Sequence, residues 1–222
     1  MAIALRHIDL VFHTDGEPFQ ALHQVNLEIP RGSVQLIMGP AGAGKTTLLQ
    51  VVAGLLTPTT GQVELLGVEL TQLPRAAQAH FRGQHMGIVF QDYNLMRSLT
   101  ALENVELALN LKGITGSAAQ TEARSLLNAV GLGNRMNVLP RQLSGGQQQR
   151  VAVARSLVGS PDLIVADEPT SALDSVNGRQ VMELLCHLAR EQGSTVLIAT
   201  HDARIAEFAD AIAYLEDGKI QS

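Results

Sequence analysis

The chain has 222 residues, 45% hydrophobic and 17% charged, with a formal net charge of -5. That mixture lies far from disordered or collagen-like compositions and suits one globular domain with a sizeable core. Weak acidity lacks the electrostatic footprint of a nucleic-acid binder, and the single cysteine, Cys186, excludes an internal disulfide and fits a reducing compartment.

In chain order, Met1 to Leu10 lacks the apolar core of a signal peptide. Ile3 to Ile29 and Gly61 to Leu70 show the polar alternation of half-buried strands, which predicts an antiparallel layer. Four short runs are apolar on both faces: Val34 to Met38, Gly87 to Phe90, Leu163 to Ala166 and Thr195 to Ala199. Such runs predict a central parallel sheet. Thr47 to Ala53 reads as a helix. Asp92 to about Arg155 contains no convincing strand and reads as an inserted helical subdomain. Within it, Ser117 and Gln120 suggest a capping box ahead of the apolar face Ala123, Leu126, Leu127 and Val130. Another helical face joins Val181, Leu184, Leu185 and Leu188. Asp217-Gly218 marks a closing hairpin, and no regulatory domain is expected beyond it. Strands alternating with helices make the fold α/β. Residues 1–90 and 156–222 are assigned to the core with its antiparallel layer, and 91–155 to the helical subdomain. No apolar run approaches the roughly 18 residues that span a bilayer, so work across a membrane requires a separate spanning chain.

Gly39-Pro40-Ala41-Gly42-Ala43-Gly44-Lys45-Thr46 fits G-x-x-x-x-G-K-S/T between a strand and a helix that continues with Thr47. Glycines let backbone N–H groups curl around phosphate oxygens, and the helix directs its positive end at the same anion. In such a loop Lys45 reaches the β and γ phosphates of ATP, and the Thr46 hydroxyl holds Mg²⁺. Asp167 ends a strand and suits Mg²⁺. Glu168 follows directly, faces the other way, and suits a general base acting on water. Leu143-Ser144-Gly145-Gly146-Gln147 combines a capping box with two glycines that leave a helix N-terminus bare. A second anion site in a chain with one phosphate loop suggests a nucleotide shared between two subunits.

That pentapeptide is identical to the signature of ABC ATPases, and the resemblance covers essentially the whole chain. It implies a P-loop NTPase (RecA-like) core carrying the antiparallel β subdomain and the inserted α-helical subdomain. It also implies further roles. Gln91 resembles the Q-loop glutamine, which touches Mg²⁺ and the attacking water. His201 resembles the switch histidine at the γ-phosphate. Ser171-Ala172-Leu173-Asp174 resembles the D-loop, which crosses to the partner subunit. Phe12 stands where the family stacks an aromatic on adenine, with Phe19 close by. Many relatives carry serines where this chain has Ala41 and Ala43. A lost hydroxyl contact there weakens nucleotide binding only modestly, by roughly 0.5–1.5 kcal/mol.

By the same resemblance, two copies pair head to tail and sandwich ATP between the phosphate loop of one and Ser144 to Gln147 of the other. A separate transmembrane permease docks near Gln91 to Met96 and holds the chain at the cytoplasmic face of the inner membrane. Phe90 to Leu95, Leu99 to Val105 and Leu143 to Ala154 resemble the lipoprotein-release and macrolide-efflux branch, implying export or mechanotransmission. The alternative is a regulatory ATPase of a cell-envelope or cell-division complex that does not itself transport. Nucleic-acid-directed ABC proteins usually carry long insertions or fused ATPase units, and this chain has neither.

Overall fold

The computed structural model describes residues 1–14 and 17–221. In chain order it contains β1 (Ile3–Thr14), β2 (Glu17–Ile29), β3 (Val34–Met38), α1 (Lys45–Val52), β4 (Thr60–Leu65), β5 (Val68–Glu69) and α2 (Arg75–His85). There follow β6 (Met86–Val89), α3 (Ala101–Leu111), α4 (Gly116–Ala129), α5 (Gly145–Ser156), β7 (Leu163–Asp167), α6 (Ser175–Gln192), β8 (Thr195–Thr200), β9 (Ala211–Glu216) and β10 (Lys219–Gln221).

Two sheets carry the molecule. One is antiparallel, in the order β2-β1-β4-β5. The other runs β10-β9-β3-β8-β7-β6 and is parallel except for its β9–β10 edge. Strand pleating explains why its central runs are apolar throughout. Val34, Leu36 and Met38 of β3, Ile164 and Ala166 of β7, and Val196 and Ile198 of β8 enter a core shared with α3 to α6. The alternate residues Ile37, Leu163, Val165, Leu197 and Ala199 enter a second core, against α1 and the antiparallel sheet. Cys186 of α6 lies in the first core at 1% exposure, and burial pushes its thiol up to about 11.

The expected strands and the hairpin at Asp217-Gly218 are present, with β6 shifted one residue toward the N-terminus. The expected capping box at Ser117 is not. Helix α4 begins at Gly116 behind Thr115, with no side-chain cap, so Ser117 already lies inside the helix and cannot serve it. A capping box forms instead at Thr100 and Glu103, at the start of α3. Helix α2 carries no clear signal in the sequence. It buries only Gln78 and Phe81, too few residues to write a helical stripe into the sequence.

Bulges interrupt β1 around Ile8 to Val11, where its register with β2 shifts. Asp9 fastens this region. Its carboxylate accepts from Gln24 N at 3.0 Å, Gln20 Nε2 at 2.9 Å and Thr60 Oγ1 at 2.9 Å, and also from Gln24 Nε2. Those donors, led by the Gln24 N–H, hold the carboxyl below its ordinary value of 3.8. A depressed carboxyl contributes stability that is complete above its ordinary value and is lost as pH falls below it. Asp9→Ala should therefore lower the melting temperature at neutral pH, by on the order of 3 °C for each kcal/mol lost. The gap to the parent should close in acid. Thermal melts of both chains across the acid range test this.

Candidate functional site

The turn from β3 into α1 builds the first half of the site. Gly44, at φ 99°, is the N-cap of α1, in a conformation side chains resist. No side chain caps this helix and no acid sits in its first turn, so its leading N–H groups remain available to an anion. Lys45 is only 6% exposed. Its Nζ donates to the carbonyls of Gly39 at 2.7 Å and Pro40 at 2.9 Å, and lies 3.8 Å from Glu168 Oε1.

The ends of β7 and β8 supply the second half. Thr46 Oγ1 donates to Asp167 Oδ1 at 3.1 Å, across the gap between α1 and β7. Burial raises the Asp167 carboxyl above its ordinary range, while the Thr46 hydroxyl pulls the other way. Glu168 sits at φ 45°, a strained value for a residue with a side chain. Its N–H donates to Ala199 O at 2.9 Å, which ties the turn to β8. Its carboxylate accepts from Thr200 Oγ1 at 3.3 Å and pairs with His201 Nδ1 at 2.8 Å. The two adjacent acids thus serve different partners.

These groups border one cavity of about 340 Å³, lined by Ala41, Gly42, Gly44, Lys45, Thr46, Thr47, Gln91, Glu168 and His201, with Phe19 and Ala21 of β2. Phe12 and Phe19 are paired across β1 and β2, but only Phe19 lines the cavity. The exposed ring next to the phosphate loop is therefore Phe19, which strand alternation alone could not separate from Phe12.

A second cluster forms elsewhere on the chain. Ser144 Oγ accepts from Gln147 N at 3.3 Å and Gln147 Oε1 accepts from Ser144 N at 3.0 Å, closing the expected capping box on α5. Asp174 caps α6, its Oδ1 accepting from Val176 N and Asn177 N, both at 3.0 Å. These bonds, led by that from Asn177 N, hold its carboxyl below the ordinary range. The two caps adjoin. A side chain at Gly146 would come within 3.4 Å of Asn177 Oδ1. Among the described residues, neither Ser144 to Gln147 nor Asp174 lines the Lys45 cavity.

The donor set fits a hard cation. The Thr46 hydroxyl and Asp167 carboxylate offer two adjacent oxygens with Gln91 nearby, which suits Mg²⁺ bound mainly through substrate phosphate and water. Among the described residues no group of three or more His, Cys, Asp or Glu could form an all-protein metal cage.

The chain is similar to known proteins over nearly its whole length. A family model described as ABC transporter matches residues 22–171. The chain is 42% identical to the lipoprotein-releasing system ATP-binding protein LolD of Shewanella denitrificans, over 97% of this chain and 93% of that one. It is 41% identical to the macrolide export ATP-binding/permease protein MacB of Bradyrhizobium diazoefficiens, over 99% of this chain and 34% of that protein. Among solved structures, the dimeric ATP-binding cassette MJ0796 in a post-hydrolysis state bound to ADP and Pi matches with a TM-score of 0.92 at 41% identity, covering 99% of this chain and 97% of that chain.

The position of Asp167 sets function against stability. With its carboxyl raised above 3.8, the folded chain holds this proton more tightly than the unfolded chain does. Stability therefore declines as pH rises from that ordinary value through the raised one, and the penalty is complete above it. Asp167→Asn should melt higher than the parent at neutral pH while losing ATP turnover, and its thermal advantage should shrink toward acid. Paired melting curves and a phosphate-release assay test both halves.

Proposed function

The chain belongs to the ABC transporter ATP-binding family, and from that premise we propose that it couples ATP-driven closure of a head-to-tail dimer to movement of a separate transmembrane permease. The permease is of the lipoprotein-release or macrolide-efflux type, and the chain works at the cytoplasmic face of the membrane. Binding and hydrolysis of ATP follow from family membership. The carrying observation for the dimer is that the Lys45 cavity and the Ser144 cap are separate on one chain. A nucleotide that meets both needs two copies, and a two-fold axis that sets one cavity against the partner's cap also sets the partner's cavity against the first cap. The dimeric relative bound to ADP and Pi supports the same reading.

Within each half, α1 and the loop Gly39 to Gly44 bind the phosphates through backbone N–H groups, and Lys45 binds the outer phosphates by charge. Thr46 and Asp167 would hold Mg²⁺, with Gln91 on the same side and within reach of the attacking water. When bound, Mg²⁺ neutralises charge on the phosphates. Glu168 takes the proton from the attacking water, and His201 orients its carboxylate and reaches the γ-phosphate. Phe19 or Phe12 covers the adenine. The segment Gln91 to Met96 meets the permease: Met96 is an exposed apolar residue there. Asn104 anchors the segment's end, its Oδ1 accepting from Met96 N at 2.8 Å and its Nδ2 donating to Met96 O at 3.1 Å. No helix of the described residues is long and apolar enough to cross a membrane.

Two experiments test the proposal. Glu168→Gln should keep nucleotide binding, lower turnover by roughly 100-fold or more, and accumulate an ATP-bound dimer seen by size-exclusion chromatography. Parental turnover would remove Glu168 from the role of base. Affinity purification from native membranes should recover a permease with four spanning helices and a large external domain. A permease of another architecture would reassign the branch, and no membrane partner at all would overturn the coupling.

A further inference from the structure

Helix α5 opens with the Ser144 cap, and its last turn carries a charge that the chemistry above does not use. Arg155 is largely removed from solvent, and burial lowers its guanidinium from the ordinary value. A guanidinium in that position normally finds a carboxylate. Among the described residues Arg155 forms no ion pair. It spends both ends of its fork on backbone instead, with Nη1 donating to Asn94 O at 2.6 Å and Nη2 to Tyr93 O at 2.8 Å.

Those two carbonyls belong to an unusual turn. Tyr93 and Asn94 lie consecutively at φ 58° and 49°, a left-handed pair without glycine. Such backbone persists only where its surroundings hold it. Arg155 supplies that hold. The Tyr93 ring makes a second contact, at the opposite end of α5. Its hydroxyl lies 2.9 Å from where a Cβ would stand on Gly145, so a side chain at 145 would displace the ring. Gly145 and Arg155 are ten residues apart on α5, about 15 Å along its axis. The turn after Gln91 is therefore bonded to the C-terminal end of the helix that presents the Ser144 cap, and its Tyr93 ring lies against the N-terminal end. Gln91 itself lines the Lys45 cavity.

We propose that Arg155 is a positioning residue: by clamping the carbonyls of Tyr93 and Asn94 it locks the Gln91 turn onto α5, so that the place of Gln91 beside one nucleotide sets the place of Ser144 to Gln147 beside the other. This rests on the head-to-tail reading above. The clamp makes the Gln91 turn and the signature helix of one chain move as a unit. Arg155 does not line the Lys45 cavity, so its loss should separate binding from turnover.

The test uses the full chain and its Arg155→Met and Arg155→Lys variants. Arg155→Met should bind Mg-ATP within about twofold of the parent, lower kcat by about tenfold or more, and weaken ATP-dependent dimerisation of the Glu168→Gln background by a similar factor. Arg155→Lys keeps the charge but not the fork, and should fall between the two. Asn94→Val puts a β-branched residue at the left-handed position and should reproduce the Arg155→Met pattern without touching the guanidinium, while Asn94→Gly should lose less. Parental kcat and dimerisation in Arg155→Met would overturn the clamp. So would a joint fall of nucleotide affinity, kcat and melting temperature that is equal for Lys and Met, since that marks a packing residue. If Arg155→Met does not fold, Asn94→Val decides, and parental turnover there overturns the proposal. If the Glu168→Gln parent shows no ATP-dependent dimer, the head-to-tail reading fails. The clamp is then judged on kcat at unchanged nucleotide affinity, where parental turnover overturns it.

Discussion

Strands β3, β7 and β8 are covered on both faces, and this constraint governs where chemistry can stand. Apart from Gln35, whose buried amide turns back onto Leu36 O, the side chains between the ends of these strands are committed to one core or the other. Polar groups can therefore emerge only at the strand ends, where the chain leaves the sheet. Lys45 follows β3, Asp167 ends β7 with Glu168 just beyond, and Thr200 ends β8 with His201 just beyond. The pairing of Asp167 with Ala199 fixes these ends side by side. Two apolar cores thus do more for the site than any single bond within it.

The same constraint explains why the signature cap stands apart. Its helix α5 belongs to the helical side of the sheet and packs against α3, α4 and α6. It also packs directly on β6, and it meets both the turn that follows β6 and the segment from Ala172 to Asn177 that leads away from Glu168. Within one chain the two clusters are thus joined both by the Tyr93–Asn94 turn and by the segment that runs on from Glu168 to Asn177. Strained residues at that turn and at Glu168 fit this picture, because a segment held by its surroundings changes state when those surroundings shift.

Much of this was legible in the sequence because each signal was local. The phosphate loop sits between a strand and a helix, and the Ser144 cap writes its partner three residues away. Continuous apolar runs announced the parallel strands. What stayed hidden depends on the third dimension. The resemblance points to Phe12 as the adenine contact, and only the path of β2 past the phosphate loop brings Phe19 to the cavity as well. Ser117 and Gln120 have a cap's spacing, but Gly116 had already begun the helix. Arg155 looks like an ordinary charge near a helix end, since its partners are carbonyls some 60 positions earlier and carbonyls leave no trace in a sequence.

The buried thiol of α6 has a practical side. Cys186 is the only cysteine in the chain, and its pKa stands at about 11 behind a 1% exposed surface. Near neutral pH such a thiol stays protonated and very little of it is the reactive thiolate. Dyes and spin labels that attack thiolates will leave the native chain unmarked. A cysteine introduced on an exposed position can then carry a reporter on an otherwise unaltered background, and distances between two such reporters can follow the subunits through a catalytic cycle.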